Sequence, residues 1–164
     1  MCVQPEEKIL PREELASLCE SWRADGKRIV TTNGCFDLVH YGHARYLAAA
    51  KRLGDRLICA VNSDASVKSL AKANDRPMFP EAVRAYLVAS LGVVDAVVVF
   101  SESTPEALLD LLRPDIHVKG GDYKIEDLPE RKVVEKNGGE IQLIPLEAGY
   151  STTNIFERIR KSES

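Results

Sequence analysis

Two histidines three residues apart, His40 and His43, bracket Tyr41 and Gly42 where an apolar, strand-like run has just ended and a helix-like run begins. Residues three apart at the start of a helix can share one face. Two imidazoles there, beside backbone N–H groups that favour anions, suit the charge that develops on a phosphoryl group in transfer. Thr32, Asn33, Gly34, Phe36 and Asp37 stand just upstream. Gly34 lets backbone N–H groups approach a phosphate with no Cβ in the way, and Gly42 does the same at the helix start. A structural turn with incidental histidines is the plainer alternative. Zinc is the sharper one, since Cys35, Asp37, His40 and His43 could form a four-ligand set. Those ligands are crowded, however, and no second Cys/His cluster follows.

Two further clusters carry similar chemistry. Lys119 precedes Gly120, Gly121 and Asp122; a lysine there can neutralise triphosphate charge while the glycines admit a base or phosphate to the backbone. Ser151, Thr152 and Thr153 follow Gly149-Tyr150, and hydroxyl residues at a helix start both cap it and cradle phosphate. His117 has no such neighbours and reads as a strand residue with a satisfied hydrogen bond.

These residues need a scaffold, and the chain supplies one pattern throughout. Strands are expected over 28–32, 56–62, 96–100, 116–119 and 140–146. Helices are expected over 42–53 and 81–91, after Thr104 as N-cap with Pro105 in the first turn, and from Ser151 onward. An extra amphipathic helix over 11–22 precedes them. Short apolar strands separated by helices indicate a buried parallel sheet. The expected architecture is an α/β, Rossmann-like doubly wound sandwich of about five parallel strands. In such sheets ligands bind beyond the carboxyl ends of the strands, near the topological switch point. Sites are thus expected after strands one, two, four and five. Residues 68–80 read as the most loop-like interior stretch.

Composition bounds the reading. At 164 residues, 45% hydrophobic and 29% charged, the chain fits a single soluble globular domain: an extension with a helix over 1–26 and a catalytic core over 27–161. A net charge of -3 gives no broad basic surface for nucleic acid. The four cysteines, Cys2, Cys19, Cys35 and Cys59, form no disulfide framework, and no signal peptide or membrane span is legible, so a cytoplasmic setting is expected.

The runs TNGCFDLVHYGH, LGDRLICAVNSD, RPDIHVKGGDY and STT together resemble the cytidylyltransferase-like nucleotidyltransferases, over about residues 27–160. Within that superfamily VKGGDY, with NGCFD and VNSD, is similar to the D-glycero-β-D-manno-heptose 1-phosphate adenylyltransferases, known both alone and fused to a sugar kinase. A kinase half is not expected at this length. The resemblance implies AMP transfer from ATP to a sugar 1-phosphate, with Mg²⁺, giving an ADP-sugar and pyrophosphate. It implies catalytic roles for His40, His43 and Lys119. It implies nucleotide contacts from Thr32, Asn33, Gly34, Phe36, Asp37, Gly42, Gly120, Gly121, Asp122, Ser151, Thr152 and Thr153. The acceptor side would draw on Asp64, Lys72 and Arg84, with Arg76 a further cation nearby; Arg84 matches a Glu-x-x-Arg pattern of the family. The metal ligands stay open, and Asp37 could orient either a histidine or the metal. A homo-oligomer, a dimer for instance, is the family expectation.

Residues 146–150 carry no arginine where the glycerol-phosphate cytidylyltransferases have one, and Gly92-Val93 replace another. Both departures weaken a cytidylyltransferase reading, and Tyr150 also stands where heptose enzymes often have arginine. An aminoacyl-tRNA synthetase shares the histidine motif, but this chain is short, acidic and without a Lys-Met-Ser-Lys-Ser segment. A nucleotide sensor and a pantetheine- or nicotinamide-type adenylyltransferase are the remaining alternatives.

Overall fold

A computed structural model describes residues 3–70, 76–121, 123–145, 147 and 149–162. Five strands, β1 (Ile29–Gly34), β2 (Arg56–Asn62), β3 (Ala96–Phe100), β4 (Ile116–Gly120) and β5 (Glu140–Ile144), form one sheet in the order β3-β2-β1-β4-β5. Every pairing is parallel. The α/β, Rossmann-like expectation holds. Strands buried on both faces need apolar side chains at successive positions rather than alternate ones. β2 meets that need, with Leu57 through Asn62 all buried.

The strand pleat sends alternate residues to opposite faces. Val30, Leu57, Cys59, Val61 and Val97 pack on one face against α2 (Tyr41–Lys51) and α4 (Glu81–Ala89). Ile29, Ile58, Ala60, Ala96 and Val98 pack on the other against α1 (Arg12–Ala24) and α5 (Glu106–Leu112). Each fully buried leucine or isoleucine in these layers is worth roughly 1.5–3 kcal/mol against exposure. A smaller cluster of Leu109, Leu128, Val134 and Ile141 seats α6 (Arg131–Lys136) beside β5.

The segment before β1 is part of this packing. Leu15 and Cys19, four apart on α1, are fully buried. Upstream, Leu10 donates its N–H to Val97 O at 2.9 Å, and Ile9 bridges to Val97 in parallel. This covers the exposed edge of β3, which an open strand would otherwise leave unpaired. Lys8 Nζ donates to Ala89 O at 3.0 Å and Val94 O at 2.9 Å, satisfying carbonyls at and beyond the end of α4.

Several local details differ from expectation. Thr104 does not cap α5: the cap position falls on Pro105, without a side-chain bond, and Thr104 Oγ1 donates to Glu106 Oε2 at 2.8 Å. Ser151 precedes α7 (Thr152–Ser162) rather than beginning it. Two short helices escape the periodicity reading, α6 and α3 (Asp64–Ser69), because six residues are too few for an apolar stripe to repeat. Their connections follow the sheet order. The chain steps outward from β1 to β3, then returns to pair β4 with the other side of β1. That reversal is the switch point, and it places the carboxyl ends of β1 and β4 at one crevice.

Candidate active site

α2 starts where β1 delivers the chain, and His40 is its N-cap. Its backbone is extended, and Nδ1 accepts from Gly42 N at 3.1 Å. An Nδ1 lone pair used in this way leaves the ring proton on Nε2 in the neutral imidazole. His40 is therefore built as an Nε2–H donor. The cap is reciprocal: His43 Nδ1 lies 3.4 Å from His40 N, in the arrangement of a capping box. The two rings stack with centroids 4.0 Å apart, and Phe36 packs on His43 at 5.3 Å.

Gly34 and Gly42 owe their type to these rings as much as to any ligand. A Cβ on Gly42 would sit 2.9 Å from His40 Cε1 and 3.2 Å from Tyr150 O. One on Gly34 would press on the Phe36 ring at 3.2 Å. Phe36 itself holds φ at 47°, a left-handed conformation that costs a non-glycine residue about 1–3 kcal/mol. Gly121, with φ at 121°, turns the chain out of β4 while donating to Ile144 O at 3.1 Å.

A cavity of about 230 Å³ opens over this point. Asn33, Gly34, Phe36, His40, Gly42 and His43 line it from the first motif, Gly120 from β4, and Ser151 and Thr152 from the start of α7. Ser151 Oγ accepts from Asn154 N at 3.0 Å and so caps α7. Two helix starts thus converge on one space, an arrangement that favours an anion. Cys35, Tyr46, Glu147 and Tyr150 complete the lining; of these, Tyr46 and Glu147 carry no motif in the sequence. Tyr150 stacks on Tyr41, with centroids 4.8 Å apart and both residues about half exposed.

A second cavity, about 350 Å³, adjoins it across a shared wall of Asn33, Gly34, Cys35 and Gly120. Lys119 lines this one, with Asn62, Tyr123 and Glu130. Lys119 Nζ donates to Asn33 Oδ1 at 2.9 Å and forms an ion pair with Glu130 Oε1 at 2.7 Å. Glu130 had no motif to mark it: a lone glutamate after Pro129 looks like any polar loop residue.

Other expected site residues serve the scaffold. Thr32 is wholly buried, its hydroxyl 2.7 Å from Tyr46 Oη, which donates to Val118 O at 3.0 Å. Asp37 is buried and touches neither histidine in the bonds it forms; Oδ1 accepts from Met78 N at 2.7 Å and Phe79 N at 3.4 Å. Arg84, expected on the acceptor side, is 0% exposed in this structure. Its guanidinium donates to Cys35 O at 2.6 Å, Phe79 O at 2.9 Å and Asp64 Oδ1 at 2.7 Å, tying the first motif to α3 and α4. Thr153 is exposed and does not line the cavity. Lys72 and Asp122 lie outside the described residues. His117 is half as expected: Nδ1 lies 2.9 Å from Thr31 Oγ1, but the buried Nε2 has no hydrogen bond and faces Glu130 Oε1 at 3.6 Å.

The zinc alternative gains no support. Among the described residues no group of three or more His, Cys, Asp or Glu side chains could hold a metal, and both histidine Nδ1 atoms are engaged in the cap. No helix among them is long and apolar enough to cross a membrane.

Burial also fixes the charge of the histidines. It lowers His40, and it lowers His43 from 6.5 to about 4, with His40 adding to the shift and the Leu38 carbonyl opposing it. Both are neutral at pH 7. An unfolded chain would take up a proton on His43 near 6.5, the folded one only near 4. The unfolded state thus binds more protons between these values, and stability falls as pH drops through that window. The loss from His43 is at most about 3 kcal/mol. Denaturant melts at pH 7 and pH 5 are expected to show it, with a smaller difference for His43→Gln. Equal pH dependence in the two proteins would contradict the assignment.

The parallel order with its central switch point, the histidine-capped helix and the second helix start beyond β5 define a nucleotidyltransferase-type α/β site. The chain belongs to the cytidylyltransferase-like family, whose model matches residues 31–158. It is 53% identical over 152 residues to the bifunctional protein HldE of Syntrophotalea carbinolica, a match covering 93% of this chain and 31% of that protein. The HldE of Proteus mirabilis is 50% identical over 153 residues, covering 93% and 32%. The chain thus spans about a third of the length of these curated relatives. Among solved structures, a lipopolysaccharide core biosynthesis protein from Thermoplasma volcanium is 30% identical with a TM-score of 0.63, covering 74% of this chain and 98% of that one. Pantoate-beta-alanine ligase from Francisella tularensis shares the fold at 13% identity and a TM-score of 0.57, covering 95% and 78%.

Proposed function

We propose that the chain transfers AMP from ATP to a sugar 1-phosphate, D-glycero-β-D-manno-heptose 1-phosphate in the first instance, releasing pyrophosphate and an ADP-sugar. The observation that carries the reading is the pair of adjoining cavities: one walled by His40, His43 and two helix starts, the other by Lys119. The bifunctional HldE relatives and the lipopolysaccharide-core protein support the sugar.

In this reading the nucleotide occupies the histidine cavity and the acceptor phosphate enters beside Lys119. An acceptor phosphate oxygen attacks the α-phosphorus, a new P–O bond forms, and the bond to the bridging oxygen of the β-phosphate breaks. The acceptor is already anionic, so no general base is needed. The protein's task is to align two polyanions and to stabilise the crowded α-phosphate. The Nε2–H of His40 and the starts of α2 and α7 supply donors on one side, and the Lys119 ammonium supplies charge on the other. Mg²⁺ would neutralise the triphosphate. Such an ion binds through substrate phosphates and water rather than through a dedicated protein cage.

Pyrophosphate release, screened with ATP and CTP against several sugar 1-phosphates, tests the reading. Turnover is expected with the heptose 1-phosphate, and ATP is expected to exceed CTP in kcat/KM by about tenfold or more, because a site that bonds one base's edge leaves polar groups unpaired with the other. Equal use of CTP, or turnover only with another acceptor, would sink the adenylyl or sugar part respectively. The homo-oligomer expected of the family is read from the mass in light scattering; a monomer at enzyme-assay concentration would reject it.

A further inference from the structure

Glu130 is a carboxylate with 1% exposure in a chain that gives it no fold-level reason to be there. It stands at the N-cap of α6, yet its side chain makes no capping bond. A buried carboxylate is costly unless paired, and the groups that face it are His117 and Lys119. His117 is wholly buried on β4, two residues before Lys119 and on the same side of the pleat. The arrangement that suits both its neighbours has the Thr31 hydroxyl donating to Nδ1 and the ring proton on Nε2, toward the carboxylate. Burial works to raise the Glu130 carboxyl, but His117 and Lys119 outweigh it and hold it at about 2.

Lysine is a charge on a flexible four-carbon stem, and without restraint it does not hold one position. Here its ammonium lies between Asn33 Oδ1 at the end of β1 and Glu130 Oε1 at the start of α6. An ammonium has three N–H groups. Asn33 Oδ1 accepts one of them, and Glu130 pairs with the charge without an aligned hydrogen bond, which leaves N–H groups for an anion in the cavity that Lys119 lines. We infer that Glu130, backed by His117, is a positioning residue: it holds the Lys119 ammonium at the crevice between β1 and β4, in register for the acceptor phosphate. The acceptor part of this statement rests on the proposed function; the restraint on Lys119 does not.

A double-mutant cycle tests it. Glu130→Gln keeps the shape and removes the charge. Pyrophosphate release, with whichever phosphorylated acceptor supports turnover, is expected to fall about 10- to 100-fold in the parent background, mainly in kcat, and less than about 3-fold in Lys119→Ala. Glu130→Asp keeps the charge and is expected to recover part of the loss; it replaces Gln in the cycle if the Gln variant does not fold. Equal losses in the two backgrounds, or unchanged turnover in folded Glu130→Gln, would overturn the inference. A substrate-free readout separates its failure from that of the proposed function. Labelling of Lys119 by an amine-reactive reagent, measured by mass spectrometry relative to exposed Lys136, is expected to rise at least about threefold in Glu130→Gln as the restraint is lost. Unchanged labelling would overturn the inference whatever the substrate proves to be.

Discussion

Turnover of His43→Ala is expected to fall by about 10²- to 10³-fold, the usual cost of losing one preorganised donor from a transition state, because the His43 ring stacks on His40 and fixes its Nε2–H. The loss should lie in kcat more than in KM for ATP, since the interaction matters most when charge develops on the α-phosphate. The fold should survive. His43 is only partly buried, α2 keeps its His40 cap through the bond from Gly42 N, and the apolar contacts of Tyr46, Leu47 and Ala50 are untouched. What the substitution does remove is a ring pressed between His40 and Phe36. Circular dichroism with steady-state pyrophosphate release reads both sides. A folded variant with near-parental kcat would eliminate His43 from the chemistry and leave it as helix-capping structure.

Lys119→Ala is expected to cost about 10²-fold in kcat/KM, and Lys119→Arg less than Ala but well short of parental. The reason is geometric. Arginine keeps the charge but spreads it over a planar fork, whereas the space between Asn33 Oδ1 and Glu130 Oε1 accommodates a compact ammonium with partners at 2.9 and 2.7 Å. The shortfall should appear in the dependence on acceptor concentration as well as in kcat, because Lys119 lines the second cavity rather than that of the histidines. Initial rates over a grid of both substrates separate the two. Parental kinetics in Lys119→Ala would remove this residue from the site and the second cavity from the reaction.

These two residues also mark how far the linear chain could be read. His40, Gly42 and His43 are adjacent in sequence, and the local rules of helix starts suffice to predict that they share a face; the structure adds that His40 is itself the cap. Lys119 could be placed at a strand end, but its neighbour Asn33 is 86 positions away, and the pairing of β4 with β1 is what joins them. Arg84 and Asp64 show the limit from the other direction. Charge and motif suggest ligand contacts, yet Arg84, wholly buried, is spent on two backbone carbonyls and on the partly exposed Asp64. A sequence pattern records that a charged residue is needed and is silent on whether it faces a substrate or holds the loop that does.

By itself the sequence determined the strands and the longer helices. Apolar runs too short for helices, spaced by amphipathic ones, leave a parallel sheet as the way to bury both, and glycine, histidine and hydroxyl residues at strand ends mark where an anion can be bound. Only the tertiary structure decided which of those ends meet. The reversal of strand order brings β1 beside β4, α7 then faces α2 across one cavity, and α6 carries Glu130 under Lys119. Such contacts depend on crossing directions and packing between segments far apart in the chain, and no local propensity encodes them. That is why a buried glutamate with no motif around it became visible only in the fold.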